Sequence, residues 1–230
     1  MASAAVPEIL ERLEAHYGPQ KPSFPVEPYA FLIWWHCGYP ASDAACQRGW
    51  DALTGTTAID PESILAASSA QLTRALTPGG MVPERRAERL KQIARRVIDE
   101  FGGDLRLAGP LPQLRKRLKQ FPNIADPGAD RILLFAGVAP VAAVPSNCPH
   151  VLVRIERGRE RENYGLTYRE AQQSIAAQVP ENVNARQRAF LLLKRHGQEI
   201  CKRTNPACDR CPVNFCCAFF AGKSRGRAAR

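Results

Sequence analysis

What the 230 residues lack narrows the field first. No stretch approaches the ~18 consecutive apolar residues that a membrane span needs, so no membrane partner is expected. The opening "MASAAVPEILERLEAHYG" has no basic start followed by an apolar core, and acids arrive at Glu8 and Glu11. No export signal is read there, and a reducing cytoplasm is the expected compartment. Alternation of apolar and polar residues is scarce. "PHVLVRIE" is the one segment that stays ambiguous between strand and helix. Repeats and low-complexity tracts are missing too, apart from a short basic tail at 221–230. Acids are in deficit, 22 against 32 Lys and Arg, which leaves a net charge of +10.

The excess charge is clustered in "RKRLK" at 115–119, "RIERGRER" at 154–161 and "GKSRGRAAR" at 222–230. A polyanion partner fits such clusters, because each neutralised phosphate releases counterions. An Arg-rich solvated surface fits them as well. The periodic segments read as helix after helix. "PEILERLEAHYG" carries Ile9, Leu10 and Leu13 at helical spacing and stops at Gly18, while "EPYAFLIWWHCGY" reads as a central buried helix. Further helices are expected in "PERRAERLKQIARRVIDEFGG", "TYREAQQSIAAQVP" and "ARQRAFLLLKRHGQEIC", with caps where Asp, Ser, Pro-Glu or Gly stand. The expectation is an all-α protein.

Against that background, "CKRTNPACDRCPVNFCC" (201–217) gathers five of the eight cysteines into seventeen positions. In a reducing compartment clustered thiols more often hold a metal than a disulfide. Cys201, Cys208, Cys211 and Cys217 have the spacing C-x6-C-x2-C-x5-C, which suits four soft ligands around an iron–sulfur cluster. Zinc knuckles share the C-x2-C core. Cys216 is read as a buried thiol, with substitution for Cys217 the alternative. Cys37, Cys46 and Cys148 are isolated and read as core residues.

The stretch "HGQEICKRTNPACDRCPVNFCCAF" resembles the terminal [4Fe-4S] loop of endonuclease III and its adenine-glycosylase relative, members of the helix-hairpin-helix DNA glycosylase superfamily. Four more segments resemble the family in the right order: "EPYAFLIWWHCGYPASD", "GGMVPERRAERLKQIA", "FPNIADPGADRILLFAG" and "VPSNCPHVLVRI". The resemblance spans about 28 to 220. It implies a two-lobed all-α fold with a DNA cleft between the lobes. One lobe is a helical barrel (28–146) that includes the hairpin at about 112–137. The other, built from 1–27 and 147–220, carries the [4Fe-4S] cluster on the four cysteines. Double-stranded DNA is the implied partner, which would place the protein close to the nucleoid, and a monomer is the expected state.

Carried over position by position, the resemblance also shows departures. The family's hairpin glycines are replaced by Asn123 and Ala125, with Pro127 and Gly128 opening the next helix. The lysine that attacks the sugar in bifunctional members falls at Pro127, which has no side-chain nucleophile. The aspartate beside the scissile bond falls at Pro145. A carboxylate there would stabilise the developing oxocarbenium charge. The glutamine that wedges into the gap left by a flipped nucleotide falls at Pro40, beside Tyr39, which can stack on a base or pack on its loop. Phosphate contacts are expected from Arg85, Arg86, Arg131, Lys202 and Arg203, with pairing to Asp126 or Asp130 the alternative for Arg131. These replacements lead to the expectation of a DNA-binding [4Fe-4S] repair protein without standard glycosylase or lyase chemistry. The alternative is an active base-excision glycosylase that uses Asp126 or Asp130 as a non-standard acid.

Overall fold

The computed structural model describes residues 5–222, and among them there is no strand. The basic tail expected at 221–230 therefore lies, from 223 on, outside the described residues. No helix among those described is long and apolar enough to cross a membrane.

Eleven α-helices are described, and their starts follow from local chemistry. In α2 (Pro28–His36) the Glu27 carboxylate accepts the N–H groups of Tyr29 and Ala30. Ser42 caps α3 (Asp43–Thr54), Asp60 caps α4 (Pro61–Ala66) and Ser68 caps α5 (Ser69–Leu76). Each such side chain satisfies an amide that the helix itself leaves without a partner. The long α6 (Pro83–Phe101) stops at Gly102 in the left-handed region, φ 65°. α7 (Leu111–Leu118) and α8 (Asp126–Phe135) flank the hairpin turn. The ambiguous "PHVLVRIE" is helical, as α9 (His150–Arg157), and Asn163 and Asn182 cap α10 (Tyr164–Gln178) and α11 (Val183–Glu199). At the N-terminus, α1 (Val6–Tyr17) buries Val6, Ile9, Leu10 and Leu13, one apolar stripe at helical spacing.

The chain forms two compact units. One is Pro22–Ile132; the other combines the chain up to Lys21 with the chain from Leu133 on. In the first, Leu32, Ile33 and Trp34 of α2 are fully buried with Leu53, Ile64, Leu72, Leu90 and Ile93. Burying each such side chain contributes about 1.5–3 kcal/mol relative to leaving it in water. The second has its own core, in which α1 residues join Val151, Leu152, Val153, Ile175 and Leu192. The stretch 133–146, grouped with the barrel in the sequence reading, packs within this second unit. Gln187 Nε2 donates to Leu134 O at 2.9 Å, the Arg186 guanidinium donates to Pro140 O, and Ala142 and Val144 enter the core.

Candidate cluster and nucleic-acid sites

The cysteine loop begins where α11 ends, with Cys201 N donating to His196 O at 2.8 Å. Short turns then close it: Ala207 N donates to Ile200 O at 3.0 Å and Cys211 N to Cys208 O at 3.1 Å. Cys201, Cys208, Cys211 and Cys217 all line one cavity, walled otherwise by Arg154, His196, Pro206, Phe219 and Phe220. Cys216 does not line it. Its Sγ donates instead to Val213 O at 3.3 Å, inside the core. Among the described residues no three His, Cys, Asp or Glu converge as a set that could hold a metal ion. The four thiols surround a shared space.

Burial pushes the thiols up, Cys201 to about 11 and Cys211 to about 12, and raises Cys217 as well. Neighbouring thiols add to the rise, so four anions here require positive charge in their midst. Backbone N–H groups oppose the trend, from Val213 toward Cys211 and from Phe219 and Phe220 toward Cys217.

Two side chains of α9 hold the start of the loop. His150 places Nε2 2.7 Å from Cys201 O. One turn on, Arg154 donates from Nη1 to Lys202 O at 2.9 Å and from Nη2 to Arg203 O at 3.0 Å and Glu160 Oε1 at 2.6 Å. Arg203 pairs in turn with Glu160 at 3.4 Å, and Lys202 and Arg203 are both exposed. Behind the cavity His196 is fully buried, and that burial lowers its pKa to about 4, so the ring is neutral.

The hairpin turn is braced from α6. Asn123 has φ 53°, the left-handed conformation that glycine supplies in the family pattern and that Asn tolerates. With its amide oxygen turned toward Arg89, it accepts from Nη1 at 2.9 Å and Nε at 3.2 Å. Ala125 is exposed, its carbonyl accepts Ala129 N at 3.0 Å, and Gly128 packs against Ile124. From α2, the buried His36 brings Nε2 2.9 Å from Pro122 O. Both candidate acids are engaged by the basic run of α7. Asp130 is 1% exposed and Arg115 binds it at 2.7 Å; Asp126 is exposed and Lys119 binds it at 2.7 Å. Pro127 is half-buried and Pro145 buried. The Pro145 carbonyl accepts Cys148 N at 2.9 Å, and the next carbonyl, Ser146 O, accepts the Tyr164 hydroxyl at 3.1 Å.

Two expected phosphate contacts are corrected. Arg131 is 6% exposed and lies inside the first unit, its guanidinium carbon 3.8 Å from the Phe24 ring centre and 4.9 Å from that of Phe31. Trp34 and Trp35 complete the cage at 5.6 and 5.7 Å, and Asp43, not Asp126 or Asp130, is its ion-pair partner at 3.6 Å. Arg86 is 2% exposed and donates to Cys37 O and, at 2.5 Å, to Gly80 O. A cation spent on interior rings or carbonyls presents nothing to a phosphate. Arg85, one residue earlier on α6, is exposed.

The Arg86 contacts draw attention to a pair of loops that the sequence reading matched only in part. Arg86 fastens the loop after α2 to the loop before α6, and Gly79 makes the approach possible. A methyl group there would overlap Cys37 O and the guanidinium. From the first loop Pro40 is exposed, while Tyr39 stacks on Trp35 at 4.7 Å. From the second project Met81, 86% exposed, and Val82, 52% exposed at φ 53°. A β-branched residue in the left-handed region costs about 1–3 kcal/mol, and such strain concentrates at functional sites.

No protein-family model matches the sequence. Curated relatives do. The chain is 23% identical to a thymine-DNA glycosylase of Aeropyrum pernix over 164 residues, 70% of this chain and 69% of that protein. It is 22% identical to endonuclease III of Thermotoga maritima over 166 residues, 72% and 71% of the two chains. A thymine/uracil-DNA glycosylase of Methanothermobacter thermautotrophicus is 25% identical over 160 residues, 69% of this chain and 67% of that one. Among solved structures, a non-covalent endonuclease III–DNA complex superposes with a TM-score of 0.76, at 17% identity, over 96% of this chain and 97% of that one. The fold is that of endonuclease III. A thermostable thymine-DNA glycosylase has the same architecture, with a TM-score of 0.74 at 20% identity over 94% and 97% of the chains.

On this endonuclease III fold the sequence reading brought together the four cavity-lining thiols and the hairpin. It missed Met81–Val82, His150, Arg154 and the Arg86 buckle. The doublet Gly79–Gly80 before Met81 was the available signal, since paired glycines mark a loop whose backbone must pass close to another.

Proposed function

We propose that the protein binds duplex DNA at damaged or distorted sites, carries a [4Fe-4S] cluster on Cys201, Cys208, Cys211 and Cys217, and does not use standard lysine or aspartate chemistry. The observation that carries the DNA reading is the pair of apolar loop tips, Pro40 and Met81–Val82, fastened together by Arg86 on an endonuclease III fold. Apolar wedges of this kind enter between base steps and unstack them. Arg85 on the same unit offers exposed positive charge for a phosphate, and Lys202 and Arg203 offer exposed charge on the other unit.

The cluster assignment fits the donor set. Four thiols, three of them half-buried and one buried, line one cavity, backbone N–H groups point at two of them, and the fifth cysteine is turned away. A bound cluster would supply the positive charge that stabilises four thiolates, together with a one-electron redox couple. The reading of the chemistry rests on Pro127 and Pro145, which offer neither amine nor carboxylate.

A duplex bearing a tetrahydrofuran abasic analogue is expected to bind more tightly than intact duplex. Affinity should fall about fortyfold between 50 and 200 mM salt, the response of three neutralised phosphates. Met81→Asp is expected to cost about tenfold on the abasic duplex, ~1.4 kcal/mol, and little on intact DNA. Salt-insensitive binding, or equal loss on both duplexes, would count against this reading.

A second reading, an active base-excision glycosylase, is favoured by the relatives named thymine- and thymine/uracil-DNA glycosylases. Of its two candidate acids, Asp126 is the one exposed to solvent, behind a surface pair with Lys119. Release of uracil, or of thymine from a T·G mismatch, that disappears in Asp126→Ala would establish it. A silent enzyme that gains activity with Pro145→Asp would establish the first.

A further inference from the structure

Three groups from three parts of the second unit stand in line. The Tyr17 hydroxyl, at the end of α1, lies 3.0 Å from His196 Nδ1. The other ring nitrogen, Nε2, lies 3.5 Å from Cys211 Sγ. His196 sits in the last turn of α11, fully buried, with its ring tilted 62° to that of Tyr17 at a centroid distance of 6.0 Å. A neutral imidazole has one N–H and one lone pair, so its two partners together choose the tautomer. A phenol is a good donor and a ligating thiolate has no proton. With Cys211 as a ligand, Tyr17 O–H donates to Nδ1 and Nε2–H donates to the sulfur.

We propose that His196 is a hydrogen-bond donor to the cluster-ligating sulfur of Cys211, oriented by Tyr17, and that it sets the reduction potential of the cluster. The inference rests on the cluster assignment above. A hydrogen bond to a ligand sulfur withdraws electron density and favours the reduced state, so removing it lowers the potential. The remaining N–H near this sulfur is that of Val213, a backbone group that side-chain replacement leaves in place. Tyr17 is a positioning residue. Without its hydroxyl the ring is released to the other tautomer, which turns a lone pair toward the sulfur.

The experiment uses the full chain, purified without oxygen, with iron and sulfide counted before each measurement. Film voltammetry and resonance Raman spectra are compared for the wild type, His196→Leu and Tyr17→Phe. Both variants are expected to keep their iron and to show a lower potential, with the larger drop in His196→Leu. The wild-type iron–sulfur stretches should shift on transfer to D2O, and those of His196→Leu should not. A loaded variant pair with unchanged potential and unchanged stretches overturns the inference and leaves the cluster assignment standing. Absence of iron from the wild type overturns both. Loss of iron from His196→Leu alone leaves Tyr17→Phe to decide, and loss from both variants assigns His196 to holding the loop rather than tuning it.

Discussion

Arg131→Ala is expected to lower the unfolding free energy by about 3–5 kcal/mol, the cost of removing one partner from a buried ion pair. The guanidinium sits among Phe24, Phe31, Trp34 and Trp35, and burial lowers its pKa to about 10. Four ring faces and the Asp43 carboxylate at 3.6 Å offset that desolvation. Alanine leaves a cavity between the rings and an Asp43 without this partner. Arg131→Lys keeps the charge but loses the flat stacking surface, so a smaller loss is expected. Urea unfolding followed by Trp34 and Trp35 fluorescence measures both. Duplex affinity well below the melting transition should not move, because the side chain is 6% exposed. An alanine variant within about 1 kcal/mol of the wild type, or one that folds normally and binds DNA poorly, would show that the cage is not what Arg131 is for.

The second large effect concerns adjacent residues. Cys217→Ser is expected to abolish retention of iron, from about four atoms per chain, the content of one four-cysteine cubane. Cys216→Ser should keep the full complement. Peptide neighbours differ this much because Cys217 faces the cavity with Cys201, Cys208 and Cys211, while Cys216 Sγ turns back to Val213 O. Serine oxygen is a harder and poorer ligand for iron at this spacing, whereas in the core it replaces one small group by another. Iron and acid-labile sulfide assays with the visible spectrum distinguish the two. The reverse pattern would exchange the ligand, and a single zinc per chain would remove the cluster.

Much of this was legible before any coordinates. The cysteine spacing picked out the four thiols that line one cavity, and three helix starts were written in Asp43, Pro61–Glu62 and Ser69. "PHVLVRIE" stayed ambiguous for a physical reason: His150 through Ile155 are all buried, so no polar face exists to show a period. Arg86 and Arg131 were misplaced because arginine is ordinarily a surface residue. Their partners lie far along the chain: Cys37 is 49 residues from Arg86. The αL backbone at Asn123 was foreseeable from the glycine it replaces, but its Arg89 partner was not. Met81 gives no periodic signal, because the side chain at an exposed loop tip packs against no core face.

The grip of His150 and Arg154 on the carbonyls of Cys201, Lys202 and Arg203 has a bearing on what a cysteine replacement does to the loop. Those bonds run between side chain and main chain and involve no sulfur, so the polypeptide alone fixes the entrance of the loop. Replacing any one of the four thiols therefore leaves the first residues of the loop tied to α9.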